Sequence, residues 1–339
     1  TVTVVLCQEK PEQGIAAEAY QKMLSVGSIS VIEAKENTDA AIRAIQSATL
    51  LVDAIFGTGF HGTQDELTAL LLKTANAASC VRVALDLPSG LQADGGECEG
   101  ICFAAHLTLA FAVYKPVHQN AQTAEICGKT VVLDIGIPEA VLYASLNGFA
   151  KITKSSVQSW LPRRLPDTHK GSYGRLLVIA GSCGMAGAAM MATLSAMRTG
   201  CGLTTLAAPE NVVKSAAPHL MEAMTLPLAE NAEGTIVSEA LRQIETAIIG
   251  KTAVLIGCGL RTSENTKQIV QYITKNTNSI VVLDADALNS IAGDPSILKG
   301  AKAQVVITPH IGEMARLTGM TVEQVSSRQE EAARAFACE

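Results

Sequence analysis

The run "GRLLVIAGSCGMAGAAMMATLSAMRTGCG", residues 174–202, constrains the fold of this chain more than any other stretch. From Leu176 to Met197 there are 22 residues without a charge, enough on hydropathy alone to span a bilayer. Glycines break the run. "RLLVIAG" has strand character, and "GSCGMAG" would put a soft polar kink at the membrane midplane. The stretch reads instead as strand, glycine turn and a helix over Ala186–Thr199, with Gly200 and Gly202 as natural stops. It is a buried βα unit.

The same alternation recurs along the chain. "TVTVVL" precedes a helix expected around Glu12–Leu24, and "ATLLVDAIF" leads through "GTGFHGT" into the helical spacing of "DELTALLLKTANAA". "CVRVALDLPSG", "HLTLAFAVYKP" and "KTVVLDIGIP" read as further strands, as do "RLLVIAG", "LTTLAAP", "AVLIGCG", "IVVLDAD" and "QVVITPH". Continuous apolar strands alternating with helices predict an α/β fold whose parallel sheets are covered on both faces. A length of 339 residues suits two domains, and 48% hydrophobic against 17% charged residues predicts large cores. The composition shifts across "SLNGFAKITKSSVQSWLPRRLPDTHKG", which places a boundary near residue 150 and predicts domains 1–150 and 151–339.

Charge and cysteine content narrow the function. Residues 1–150 hold 8 Lys and Arg against 16 Asp and Glu, and residues 151–339 hold 18 against 16. Neither half has a basic cluster interleaved with aromatics, so no nucleic-acid partner is expected. The nine scattered cysteines form no CxxC, which favours reduced thiols in a cytoplasmic protein over a Cys98–Cys102 redox pair. No signal peptide and no membrane association are expected. The first residue is Thr rather than Met, and "QEEAARAFACE" ends in a helical pattern without a stop, so both ends read as cut.

Ligands of open α/β sheets gather at the carboxyl ends of strands. In the first half Asp53 sits inside the apolar "LLVDAIFGTG" and Asp86 inside "VALDLPSG", close to Ser89. A carboxylate in such a run is expensive unless paired, so the two suggest cation coordination or proton transfer; the alternative is that each binds nearby backbone N–H groups. Lys115 would hold phosphate or be solvated. In the second half Gly181, Gly184 and Gly187 form a GxxGxxG turn, a weak anion-site signal that tight packing explains as well. Asp284 and Asp286 would bind a metal or hydroxyl, one of them capping a helix. A lone His is usually structural, but His310 follows a strand and precedes a helix beside Gly312 and Glu313.

Taken in order, these segments resemble the fused NAD(P)HX epimerase and dehydratase family, the bifunctional nicotinamide nucleotide hydrate repair enzymes. The resemblance rests on "VDAIFGTGFHG", "ALDLPSGLQADGG", "LTLAFAVYKP" and "VVLDIGIP" in the first half. In the second half it rests on "HKGSYGRLLVIAGSCGMAGAAMMATLSAMRTGCGL", "LIGCGL", "VVLDADALN" and "VVITPHIGEMARL", so that it spans about residues 50–320. It implies a Rossmann-like three-layer epimerase domain and a ribokinase-like dehydratase domain. Asp53 and Ser89 match potassium-binding positions. Gly57, Thr58, Gly59, Phe60, His61, Gly62, Thr63 and Asp86 match the hydrated-nucleotide site, with Asp86 in proton transfer. Ala188, Gly259 and His310 match substrate contacts of the dehydratase.

The implied chemistry is R/S epimerisation of NADHX and NADPHX, then ADP-dependent dehydration of the S form with Mg2+, in a homo-oligomer. The alternative is a ribokinase-like small-molecule kinase, such as a vitamin-precursor kinase, with an added Rossmann-like domain. A non-catalytic nucleotide-binding protein would have little need for Asp53 and Asp86 in apolar strands. The family's Asn-Asn-Gly-Gly-Asp segment, Lys-Gly adenylate loop and Gly-Ser-Gly-Asp motif are absent from the 339 residues. Cys258 and Arg261 stand where the family prefers Pro and Gly, and Val117 where it has Gly. The purified 339-residue chain is therefore expected to lack dehydratase activity; ADP-dependent NADH formation from NADHX would refute this.

Overall fold

Short β-branched and aliphatic runs become parallel strands throughout. In a computed structural model, which describes residues 1–95, 100–145, 152–161 and 163–339, the chain divides into two units, Thr1–Gln158 and Ser159–Glu339. The first unit holds β1 (Val2–Leu6), β2 (Ile29–Glu33), β3 (Leu50–Asp53), β4 (Val81–Leu85), β5 (Leu107–Phe111) and β6 (Lys129–Leu133). These form two parallel pieces, a β1-β2 pair and a four-stranded sheet in the order β3-β4-β5-β6. Helices Thr38–Ser47 and Glu66–Ala77 bring Ala41, Leu71, Leu72 and Ala75 onto Ala84 and Phe103.

The second unit holds β7 (Arg175–Ile179), β8 (Leu203–Pro209), β9 (Met224–Leu228), β10 (Ala253–Ile256), β11 (Ile280–Leu283) and β12 (Gln304–Ile307). They form one parallel sheet in the order β12-β11-β10-β7-β8-β9. Alternation sorts β7 between two cores. Leu177 and Ile179 pack with Val254, Ile256, Val281 and Leu283 in one, whereas Val178 packs with Leu206, Ala208 and Val212 in the other. Both faces of the central strands β7, β8 and β10 are dry, which is why these read as continuous apolar runs, whereas Met224, Ile280 and Val306 on the outer strands stay exposed.

The uncharged run resolves as read from its glycines: β7, then a helix over Ala186–Arg198 capped at Thr199, with Gly200 at φ 101°. No helix among the described residues is long and apolar enough to cross a membrane. The helix expected over Glu12–Leu24 runs Gly14–Ser25. Two expectations are corrected. Neither Asp284 nor Asp286 caps the helix Asp286–Ile291, whose cap position is Ala285 at φ 47° without a side-chain hydrogen bond. Not all cysteines are reduced: Cys102 is disulfide-bonded, and Cys98 lies outside the described residues.

The chain leaves β7 toward β8 and β9 on one side, then returns to add β10 on the other, so the strand order reverses between β7 and β10. Here the two exit turns are stitched together. Gly257 N–H donates to Ile179 O (3.2 Å), Gly181 N–H to Cys258 O (2.9 Å) and Ser182 Oγ–H to Gly259 O (2.9 Å). Gly257 sits at φ 131°, and a Cβ there would lie 1.7 Å from the Asp284 carbonyl oxygen. Gly187, in the helix, has nothing within 4 Å of that position. Gly257→Ala should therefore destabilise the second unit by about 3 kcal/mol or more, while Gly187→Ala should be neutral or stabilising by up to about 1 kcal/mol. Urea unfolding of both variants checks this contrast.

Candidate functional site

At the end of β3, the Asp53 side chain turns into the fold and is only 4% exposed. Its oxygens accept from Ser89 N–H (2.7 Å), Ser89 Oγ–H (2.7 Å) and Ile55 N–H (3.2 Å). The buried Ser89 hydroxyl in turn accepts from Phe56 N–H at 3.1 Å. One carboxylate thus joins the exit of β3 to the loop after β4. Burial pushes its pKa up, against the opposing pull of the Ser89 hydrogen bonds. The same burial, with Asp53 and Asp65 nearby, raises the Cys7 thiol to about 11.

The loop 57–63 leaves from this clamp. Gly57, Thr58, Gly59, His61, Gly62 and Thr63 are exposed, and no atom lies within 4 Å of a Cβ placed on any of the three glycines. Gly62 needs its freedom at φ 84°. Phe60 is half-buried, donates its N–H to Gly57 O (3.1 Å) and stacks on Phe56 with ring centroids 4.3 Å apart. Asp65 then caps the helix Glu66–Ala77 through Thr68 N–H at 2.7 Å.

Asp86 follows β4, which pairs directly with β3, and adopts φ 66°, a left-handed conformation that costs a non-glycine residue about 1–2 kcal/mol. Its N–H donates to Leu109 O (2.9 Å) and its Oδ1 accepts from Phe111 N–H (3.1 Å). The same Oδ1 pairs with Lys115 Nζ, which also donates to Phe111 O at 2.8 Å. Lys115 therefore neither sits in solvent nor stands apart; its side chain is 15% exposed, against 14% for Asp86. No described residue donates to Oδ2.

His118 completes this cluster, a residue that sequence reasoning passed over. It is 4% exposed, accepts Lys115 N–H on Nδ1 (3.0 Å) and meets the Asp86 carbonyl oxygen through Nε2 at 2.8 Å. With Nδ1 accepting, the network assigns the ring proton to Nε2. Burial pushes its pKa down; the Asp86 carbonyl opposes this and the Lys115 charge reinforces it. Between them, Val117 is buried with Leu87, Leu91 and Cys127.

In the second unit the structure brings Ala188 and Gly259 together across the switch point: a Cβ on Gly259 would lie 3.1 Å from that of Ala188. His310 stands two strands away, beyond β12, with its side chain 66% exposed. It caps the helix Ile311–Thr318, Nδ1 accepting Gly312 N–H (3.0 Å) while its own N–H donates to Glu313 (3.0 Å). Asp284 links the two places. Its carboxylate accepts from Thr308 Oγ–H (2.8 Å) and from Cys258 Sγ–H (3.2 Å), and burial foremost raises that thiol to about 12. Asp286 accepts Arg261 N–H at 2.9 Å.

All the residues singled out lie at or just beyond the carboxyl ends of strands. The grooves lined by Thr49, Val81, Arg82 and His106, and by Arg164, His169, Lys170 and Tyr173, lie at or ahead of strand amino ends. No group of three His, Cys, Asp or Glu able to hold a metal exists among the described residues. What the first unit offers is oxygen: one buried carboxylate with no cationic partner among the described residues, and the Ser89 hydroxyl beside it. That donor set fits a hard cation of low charge.

Comparison with known proteins matches this layout. A model of the YjeF-related protein N-terminus matches residues 1–117, and a model of NAD(P)H-hydrate dehydratase matches residues 176–339. The bifunctional NAD(P)H-hydrate repair enzyme Nnr of Moorella thermoacetica is 37% identical over 95% of this chain and 60% of its own length. The enzyme of the same name from Escherichia coli is 33% identical over 83% of this chain and 52% of its own length. A crystal structure of the ADP/ATP-dependent NAD(P)H-hydrate dehydratase from Bacillus subtilis, co-crystallised with ATP and magnesium, is 32% identical. It covers 55% of this chain and 61% of that one, with a TM-score of 0.46. The chain spans about 60% of the length of the first curated relatives it matches. With the two family models side by side in one chain, it belongs to the bifunctional NAD(P)H-hydrate repair enzyme family.

Proposed function

We propose that the protein repairs hydrated nicotinamide cofactors in the cytoplasm, with residues 1–150 interconverting the R and S forms of NADHX and NADPHX. Residues 151–339 then belong to the domain that dehydrates the S form at the expense of ADP. The observation that carries the first assignment is the Asp86 carboxylate: Oδ1 is held by Phe111 N–H and Lys115, and Oδ2 has no donor among the described residues. Inversion at the hydrated ring carbon, which carries both the hydroxyl and the ring nitrogen, breaks its bond to that nitrogen and reforms it on the other face. It requires a group that takes the hydroxyl proton as the ring opens to the aldehyde and returns it as the ring closes. A fixed carboxylate at a strand end with one free oxygen meets that need. The open loop Gly57, Thr58, Gly59, Phe60, His61, Gly62 and Thr63 presents backbone N–H groups to the nucleotide's phosphates.

Asp53 and Ser89 would hold potassium, which supplies positive charge beside a buried carboxylate and near the dinucleotide. Folding raises the Asp53 pKa, so its ionised form costs stability that is regained only as pH falls through the raised value; a bound cation offsets that cost. In the second unit Ala188 and Gly259 line the crevice where the strand order reverses, the place where open sheets bind nucleotides. His310 contacts substrate from the neighbouring edge. ADP and Mg2+ would serve this domain by making the hydroxyl a better leaving group and neutralising phosphoryl charge. Asp284 holds the turns at Cys258 and Thr308 in register around that crevice. A homo-oligomer is the assembly we propose.

The test is R/S interconversion by the complete protein carrying Asp86→Ala. The expected loss is about 100- to 10,000-fold in kcat. An unchanged rate would remove Asp86 from the chemistry and the epimerase assignment with it.

A further inference from the structure

We propose that His118 is a positioning residue for Asp86, holding the carboxylate in its working direction through the main chain rather than touching the substrate. This rests on the reading of Asp86 as the proton-transfer group. At φ 66°, Asp86 has a backbone that relaxes toward negative φ unless its peptide groups are fixed on both sides. Its N–H is fixed by Leu109 O (2.9 Å). Its carbonyl is held by one side chain, His118, through Nε2 at 2.8 Å.

The Lys-Pro-Val-His segment therefore grips Asp86 at two points. Lys115 takes the carboxylate and His118 takes the carbonyl, three residues apart on a short 3-10 turn over Pro116–His118. The turn itself is anchored by buried Val117 and by Lys115 N–H donating to His118 Nδ1 (3.0 Å). Loss of the Nε2–H donor would leave a carbonyl unpaired and let the peptide after Asp86 rotate. Rotation there swings the Cα–Cβ bond and carries Oδ2 away from the reacting hydroxyl. A shift of that size at a proton-transfer group lowers turnover far more than binding.

The two imidazole nitrogens can be tested apart. His118→Gln keeps a donor near the Nε2 position, His118→Asn keeps only an acceptor near Nδ1, and His118→Leu keeps neither. In the complete protein, His118→Asn and His118→Leu should lose about tenfold to 100-fold in kcat for R/S interconversion of NADHX, with KM within about twofold. His118→Gln should recover to within about threefold of the parent. Equal kcat in all three variants, or equal losses that follow only their thermal stabilities, would overturn the inference. If Asp86→Asn abolishes turnover in that case, the proposed function stands without it; if Asp86→Asn is active, both fall. Nitrogen NMR of labelled histidine in the unsubstituted protein at neutral pH, assigned by loss of signal in His118→Gln, is a second check that needs no folded null variant. A neutral ring protonated on Nε2 is expected, and the opposite tautomer or an imidazolium would overturn the proposal.

Discussion

The first unit depends on one buried carboxylate. Asp53 takes two hydrogen bonds from Ser89 and one from Ile55, and so fixes where the chain leaves β3 and where it runs after β4. The loop 57–63 and the backbone of Asp86 start from those two exits. Replacing the clamp with apolar side chains would remove the cost of burying the charge, and with it the register between the two loops. A charged group at this depth is costly, because three N–H and O–H donors only partly offset its lost hydration.

Strain gathers at the same strand ends in both units. Among the described residues, the non-glycine residues with positive φ are Asp86, Ala112, Arg261 and Ala285, each in a turn just beyond β4, β5, β10 or β11. Each is pinned by a hydrogen bond: Asp86 and Ala112 to the next strand, Arg261 through its N–H to Asp286, and Ala285 through its carbonyl, which accepts Asn289 N–H at 3.0 Å. The chain thus concentrates its backbone strain at the carboxyl ends of its strands. The second unit adds the strand-order reversal between β7 and β10, where Gly257 is the one residue type that leaves room for the Asp284 carbonyl.

Much of this was legible in residue order. Apolar runs ending in Gly, Asp or Pro located the strands, most cleanly where central strands such as β7 and β8 are dry on both faces, and the glycines of residues 181–187 turned a 22-residue uncharged run into strand and helix. Strand β9 was missed because "MTLPL" contains Pro227; as an edge strand it tolerates the lost N–H. The carboxylates Asp53 and Asp86 were visible as charges inside apolar strands. Their pairings were less legible: only the family resemblance tied Ser89 to Asp53, and Lys115 read as a phosphate holder or a solvated residue, because these partners lie 36 and 29 residues away and come within reach through the pairing of neighbouring strands. His118 gave no signal, since a histidine beside Pro and Val reads as any buried polar residue until the carbonyl it meets is known. Asp284 reads as a helix cap in sequence and proves to be a tie between β10 and β12, because both turns converge on it only in the folded sheet.

The potassium response of R/S interconversion tests the Asp53 clamp most directly. At constant ionic strength, the complete protein should interconvert the NADHX epimers faster in potassium chloride than in lithium chloride, and Asp53→Asn should be slow and indifferent to the cation. Equal rates in the two salts for the parent, or a parental potassium response in Asp53→Asn, would contradict the assignment of this carboxylate to a cation site.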